Sequence, residues 1–65
     1  MKKLLHSKWT AVQPRNKEKH FMVVKLNEVE EVIDYVIIEA IFTRNEYQVL
    51  VKDLKDTQVW QQGWK

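Results

Sequence analysis

The chain has no cysteine, a single glycine (Gly63) and a single proline (Pro14) among its 65 residues. Without cysteine there can be no disulfide, thiol nucleophile, Cys-ligated zinc or iron–sulfur cluster. One glycine cannot build a Gly-rich phosphate loop or a G-x-S-x-G elbow, and Ser7, Thr10, Thr43 and Thr57 stand in no such setting. Long apolar runs are also missing: Tyr35-Val-Ile-Ile38 falls far short of the roughly 20 residues that a membrane span needs. No signal peptide is recognisable. These absences predict a soluble, cytoplasmic protein with no membrane partner. They also argue against an enzyme, because a chain this small fills its interior with side chains and leaves no substrate pocket of several hundred Å³.

What is present suffices for folding. Hydrophobic residues make up 45% of the chain, which sets it apart from disordered sequences. At this length there is room for one domain, predicted over residues 1–65, with residues 1–6 as a flexible basic lead-in. Charge is unevenly distributed. Residues 1–25 hold seven Lys or Arg against the single acid Glu18, whereas residues 26–65 hold four against eight acids. Such a division predicts a dipolar surface whose positive end meets an anionic partner.

Along the chain, Lys8-Trp-Thr-Ala-Val12 has the β-branched and aromatic content of a strand, and Pro14-Arg-Asn-Lys-Glu18 reads as a charged loop. His20 to Leu26 alternates as a second strand, with Met22, Val24 and Leu26 predicted on the buried face. Residues 27–41 are ambiguous. Val29, Val32, Ile33, Val36, Ile37, Ala40 and Ile41 fit a helical stripe that Asn27 could cap, which would make the fold α+β. The β-branched and aromatic content favours a loop at Asn27-Glu31 followed by a strand from about Val32 to Thr43. A tight hairpin at Asn45 then leads into Glu46-Lys52, where Tyr47, Val49 and Val51 alternate with polar residues. A short helical turn is expected near residues 53–57, and a last strand near Val59-Trp64 puts Trp60, Gln62 and Trp64 on one face. The predicted architecture is all-β, a small SH3-like or OB-like barrel of four to five antiparallel strands shut near Gly63.

The segments Ser7-Lys-Trp-Thr-Ala-Val12, Glu18-Lys-His-Phe21, Glu39-Ala40, Glu46-Tyr47, Leu54-Lys-Asp56 and Trp60 through Gly63-Trp64 together resemble a family of small tryptophan-rich bacterial proteins of unknown function. The resemblance covers nearly the whole chain. It implies a bacterial cytoplasmic protein and supplies no activity that can be carried to particular residues.

Two readings of the aromatic residues compete. In one, Trp9, Trp60 and Trp64 plug the core and join the first strand to the last, so that Trp9→Ala or Trp64→Ala costs about 3–5 kcal/mol. In the other, Trp9 or Phe21 stacks on bases of RNA or single-stranded DNA while Lys8, Arg15, Lys17, Lys19 and Lys25 neutralise phosphates. Nucleic-acid binding through this basic surface is the leading expectation. The alternative is a protein-interaction module in which exposed strand edges, or an aromatic patch around Trp60 and Trp64, receive another protein. No cofactor or metal is expected, since His6 and His20 fit no ligand spacing. His20 is expected to satisfy a loop carbonyl or pair with Glu18, and Glu39, flanked by isoleucines, to meet a lysine, Arg44 or His20, or else face solvent.

Overall fold

The computed structural model describes residues 4–65. Five strands and one short helix follow in the order β1 (Lys8–Arg15), β2 (Glu18–Val29), β3 (Val32–Ala40), β4 (Glu46–Leu50), α1 (Val51–Leu54) and β5 (Trp60–Gln62). All pairings are antiparallel, and the sheet order is β4-β3-β2-β1-β5. The fold is therefore all-β, as predicted. The barrel is not observed, because β4 and β5 end the ladder on either side without pairing to each other.

The helix considered for residues 27–41 does not form. Val36, Ile38 and Ala40 are buried while Tyr35, Ile37 and Glu39 between them are only partly covered, the period of two that a strand imposes. Asn27 to Val29 belong to β2, and the predicted loop contracts to the turn Glu30-Glu31, both at positive φ (50° and 69°). Asn16 and Lys17 turn the β1–β2 hairpin in the same way, with φ of 55° and 62°. Two consecutive left-handed residues match the right-handed twist of the flanking strands, but side chains other than Gly or Asn bear a conformational cost there. The third hairpin is looser than expected: β3 stops at Ala40, and residues 41–45 form a loop closed by Arg44 N–H donating to Ala40 O at 2.7 Å.

The face predicted for β2 is reversed. Phe21 and Val23 are buried at 5% and 0% exposure, whereas Met22 is not. Val23 lies opposite Ile38 and Lys25 opposite Ile37, so Val24 is an extra residue. This bulge shifts the alternation by one, and Leu26 then rejoins the inner face against the core. A uniform even-face pattern was legible only because the bulge is invisible in the sequence.

Trp9, Phe21, Val23, Val36, Ile38, Ala40 and Leu54 form the core. Leu54 comes from α1, which begins two residues before the turn predicted for 53–57 and folds the segment after β4 back over the sheet. Of the expected lead-in, residues 1–3 lie outside the described residues. The remainder is tied down: Leu4 packs against the core, His6 N–H donates to Val23 O at 2.7 Å, and Val23 N–H donates to Ser7 O at 3.0 Å.

β1 leaves β2 between Thr10 and Arg15, where Pro14 has no N–H to contribute to the ladder, and Val12 N–H donates instead to Val59 O at 2.8 Å. The sheet opens there. Gly63 ends β5 with φ of +85°, where a side chain would be strained. A Cβ at Gly63 would approach nothing nearer than Lys65 Cε at 4.0 Å, so this glycine is required by conformation and not by space. After it the chain crosses to the outer face of β1 and β2, so the expectation that Trp60, Gln62 and Trp64 share one face of a last strand is corrected: β5 stops at Gln62 and Trp64 lies on the opposite side from Trp60.

Candidate functional site

Two surfaces gather chemistry-bearing side chains. The first is the outer face of β1–β2. Lys8 opposite Met22, Thr10 opposite His20, and Lys25 opposite Ile37 share this face, and the C-terminal residues lie across it. Trp64 Nε1–H donates to Phe21 O at 3.0 Å, Lys8 Nζ stands 4.8 Å from the Trp64 ring centroid, and the His20 ring lies 6.0 Å away. His20 Nε2 is 3.1 Å from Lys65 O. The histidine thus meets a carbonyl of the C-terminus, and not Glu18 or a loop.

Thr10 anchors this crossing. It is 2% exposed, its hydroxyl donates to Gly63 O at 2.7 Å, and it accepts from Lys65 N–H at 2.9 Å. Thr10→Val keeps the shape and removes both bonds. A loss of about 1–3 kcal/mol is expected in urea denaturation, with Trp64 emission shifted toward that of a solvated indole.

The second surface is a cleft of about 470 Å³ on the inner side, in the gap between β4 and β5. Phe21 lies at its base. Trp60 stands 5.2 Å from Phe21 at 85°, and Tyr47 stands 6.2 Å from it at 70°. Glu18, 4% exposed, also lines the cleft. Its carboxylate accepts from Thr43 Oγ1, from Asn45 Nδ2 at 3.0 Å, and from Tyr47 Oη at 2.6 Å. These bonds join the end of the first hairpin to the loop between β3 and β4. The Thr43 hydroxyl first, then Tyr47, hold the Glu18 carboxyl below the usual range against the opposing effect of burial, with Asn45 adding to the lowering. The same contact with Glu18, followed by burial, pushes the Tyr47 phenol up.

The predicted site residues separate in space. Trp9 and Phe21 are 8% and 5% exposed, so neither ring offers a face for base stacking. Lys8 and Lys25 share the outer face, Lys17 sits in the β1–β2 turn, Lys19 is exposed on β2, and Arg15 lines the cleft. Charge is divided along β2: Arg15, Lys17 and Lys19 lie at one end, and Glu28, Glu30 and Glu31 at the other. Glu39 meets Arg44 at 2.9 Å, one of the partners anticipated for it. Sequence reasoning missed Glu18 as a hub and Tyr47 as its partner. The available signal was that Glu18 is the only acid in the first 25 residues.

Among the described residues no three His, Asp or Glu side chains are grouped to hold a metal ion, and no helix is long and apolar enough to cross a membrane. The fold and its surfaces define a small antiparallel β domain that combines an aromatic core with exposed indole. Residues 7–65 match the family described as "Tryptophan-rich protein (DUF2389)", and the chain belongs to that family. No curated protein and no solved structure gives a significant match.

Proposed function

We propose that the protein is a non-enzymatic β module that binds RNA or single-stranded DNA on the outer face of β1–β2, with Trp64 as the stacking residue in place of Trp9 and Phe21. The observation that carries this reading is the 41% exposed Trp64 indole lying beside Lys8 on the strand pair that also holds Arg15, Lys19 and Lys25. An exposed ring offers a sequence-tolerant face to a base, and surrounding lysines offer phosphate contacts. Lys8, Lys19, Lys25 and Lys65 are exposed and within the two strands or the C-terminal residues crossing them.

Titration with oligouridylate and oligothymidylate, read by tryptophan fluorescence, tests it. Four phosphate contacts predict a log–log salt slope of about −3, hence about 50-fold weaker binding at 200 mM than at 50 mM salt. Trp64→Ala is expected to weaken binding about tenfold or more, and Trp60→Ala to leave it unchanged. Absence of binding at low salt overturns the reading. The alternative, docking of another protein by strand addition, is favoured by the unpaired edge of β4; a complex that survives high salt and nuclease would support it.

A further inference from the structure

The inner cleft combines features that the outer-face reading does not use. Trp60 on β5 and Tyr47 on β4 line the cleft on either side of Phe21 on β2, their rings inclined to it by 85° and 70°, so a guest between them meets aromatic side chains from two sides. Aromatic faces carry the negative part of the ring quadrupole and attract cations. Glu18 adds a formal negative charge at 4% exposure. Among the described residues the ion pair is Arg44–Glu39, so no described lysine, arginine or histidine neutralises Glu18.

The hydrogen bonds of Glu18 restrict which cation fits. A carboxylate offers about four acceptor positions, and Thr43, Asn45 and Tyr47 already occupy three. About one position remains, so a guanidinium or primary ammonium would leave most of its N–H groups without an acceptor at Glu18. A quaternary ammonium has no N–H and needs only charge and ring faces. Arg15 supplies the opposite pole. It lies directly across the ladder from Glu18 and lines the same cleft, but its guanidinium is not within ion-pair distance of that carboxylate.

We infer that the cleft binds a small betaine-type zwitterion, its trimethylammonium group held between Trp60 and Tyr47 near Glu18 and its carboxylate held by Arg15. The volume of about 470 Å³ lies in the range of small-molecule sites. This site is separate from the outer face, and its failure would leave the nucleic-acid reading intact.

The test uses the unmodified protein and three ligands of similar shape: glycine betaine, choline, and uncharged 3,3-dimethylbutan-1-ol. The Trp60 indole N–H resonance reports occupancy. Saturable binding of glycine betaine is expected, with the uncharged alcohol about tenfold weaker or worse, as loss of the cation–π attraction implies. Choline should fall between them. Glu18→Gln is expected to weaken betaine binding several-fold while leaving the alcohol unaffected, and Arg15→Ala to reduce betaine to the level of choline. Equal affinity for betaine and the alcohol overturns the proposal, as does the absence of a saturable Trp60 response at high millimolar ligand. Choline binding as tightly as betaine removes Arg15 from the site and overturns the zwitterion. The comparison of ligands on the unmodified chain holds even if Glu18→Gln impairs folding.

Discussion

Trp9→Ala is expected to leave the chain largely unfolded at 25 °C, seen as lost chemical-shift dispersion and lost near-ultraviolet ellipticity. The indole is 8% exposed, sits in the core with Phe21 and Leu54, and donates its N–H to Ser7 Oγ at 2.7 Å. Ser7 in turn donates to Leu4 O at 2.6 Å. Truncation therefore opens a cavity and strips a hydrogen bond from the segment that pins residues 4–7. Large aromatic truncations in cores cost about 3–5 kcal/mol, and a single core in a domain under about 70 residues rarely supplies more than that. Trp64→Ala is the control. Its indole is 41% exposed, so the loss there should be about 1–2 kcal/mol, mainly the Nε1–H bond to Phe21 O and partial burial. This replaces the equal cost that the sequence alone predicted for the two tryptophans. A native-like Trp9→Ala would place that indole outside the core.

The second large effect concerns Glu18. Glu18→Ala leaves Thr43, Asn45 and Tyr47 without their shared acceptor and unties the β1–β2 hairpin from the loop that begins β4. The urea midpoint should fall more than for any other single replacement of a polar side chain. The pH dependence gives the sign independently. The folded-state pKa of Glu18 is lowered, so its contribution is fully present above the unfolded value of about 4.3 and is lost as pH falls toward the folded value. The folded-state pKa of Tyr47 is raised, so its contribution is present below about pH 10 and is lost as pH rises through the folded value. Stability measured by urea titration from pH 2 to 12 should therefore decline at both ends. Glu18→Gln should flatten the acid decline and let the Tyr47 phenol ionise at lower pH, visible in the ultraviolet absorbance of tyrosinate. Two unchanged limbs in the variant would mean that Glu18 and Tyr47 are not coupled.

Both predictions turn on features of unequal legibility. For residues 32–40 the apolar spacing fitted helix and strand alike, and only their β-branched content, restricted in a helix and suited to a pleated sheet, favoured the strand that forms; the alternation of residues 46–50 is local. Pro14 was expected to end the first strand and open a loop to Glu18, but β1 runs through it to Arg15. Only the pairing with β2 lapses between Thr10 and Arg15, because the missing N–H acts at its own position and leaves the chain extended. The Val24 bulge could not be read. A single extra residue costs little locally and is fixed only by which register lets Val23 meet Ile38 and Leu26 meet Val36. Nor could the exposure of the three indoles be read, since only the turn at Gly63 sends Trp64 to the opposite face.

The amino-acid sequence by itself determined that the protein has neither thiol chemistry nor a glycine-built phosphate loop, that it is mainly strand, and that its positive charge gathers in the first 25 residues. Those properties depend on residue type, on neighbours along the chain, and on simple counting. Only the tertiary structure decided that the sheet stays open, that Trp9 and Phe21 are core while Trp64 is exposed beside Lys8, and that Glu18 meets partners from residues 43–47. Those arrangements depend on strand register and on the path of the chain after β5. Both are set by how the whole sheet buries its apolar side chains and pairs its polar groups, a balance that no single segment contains.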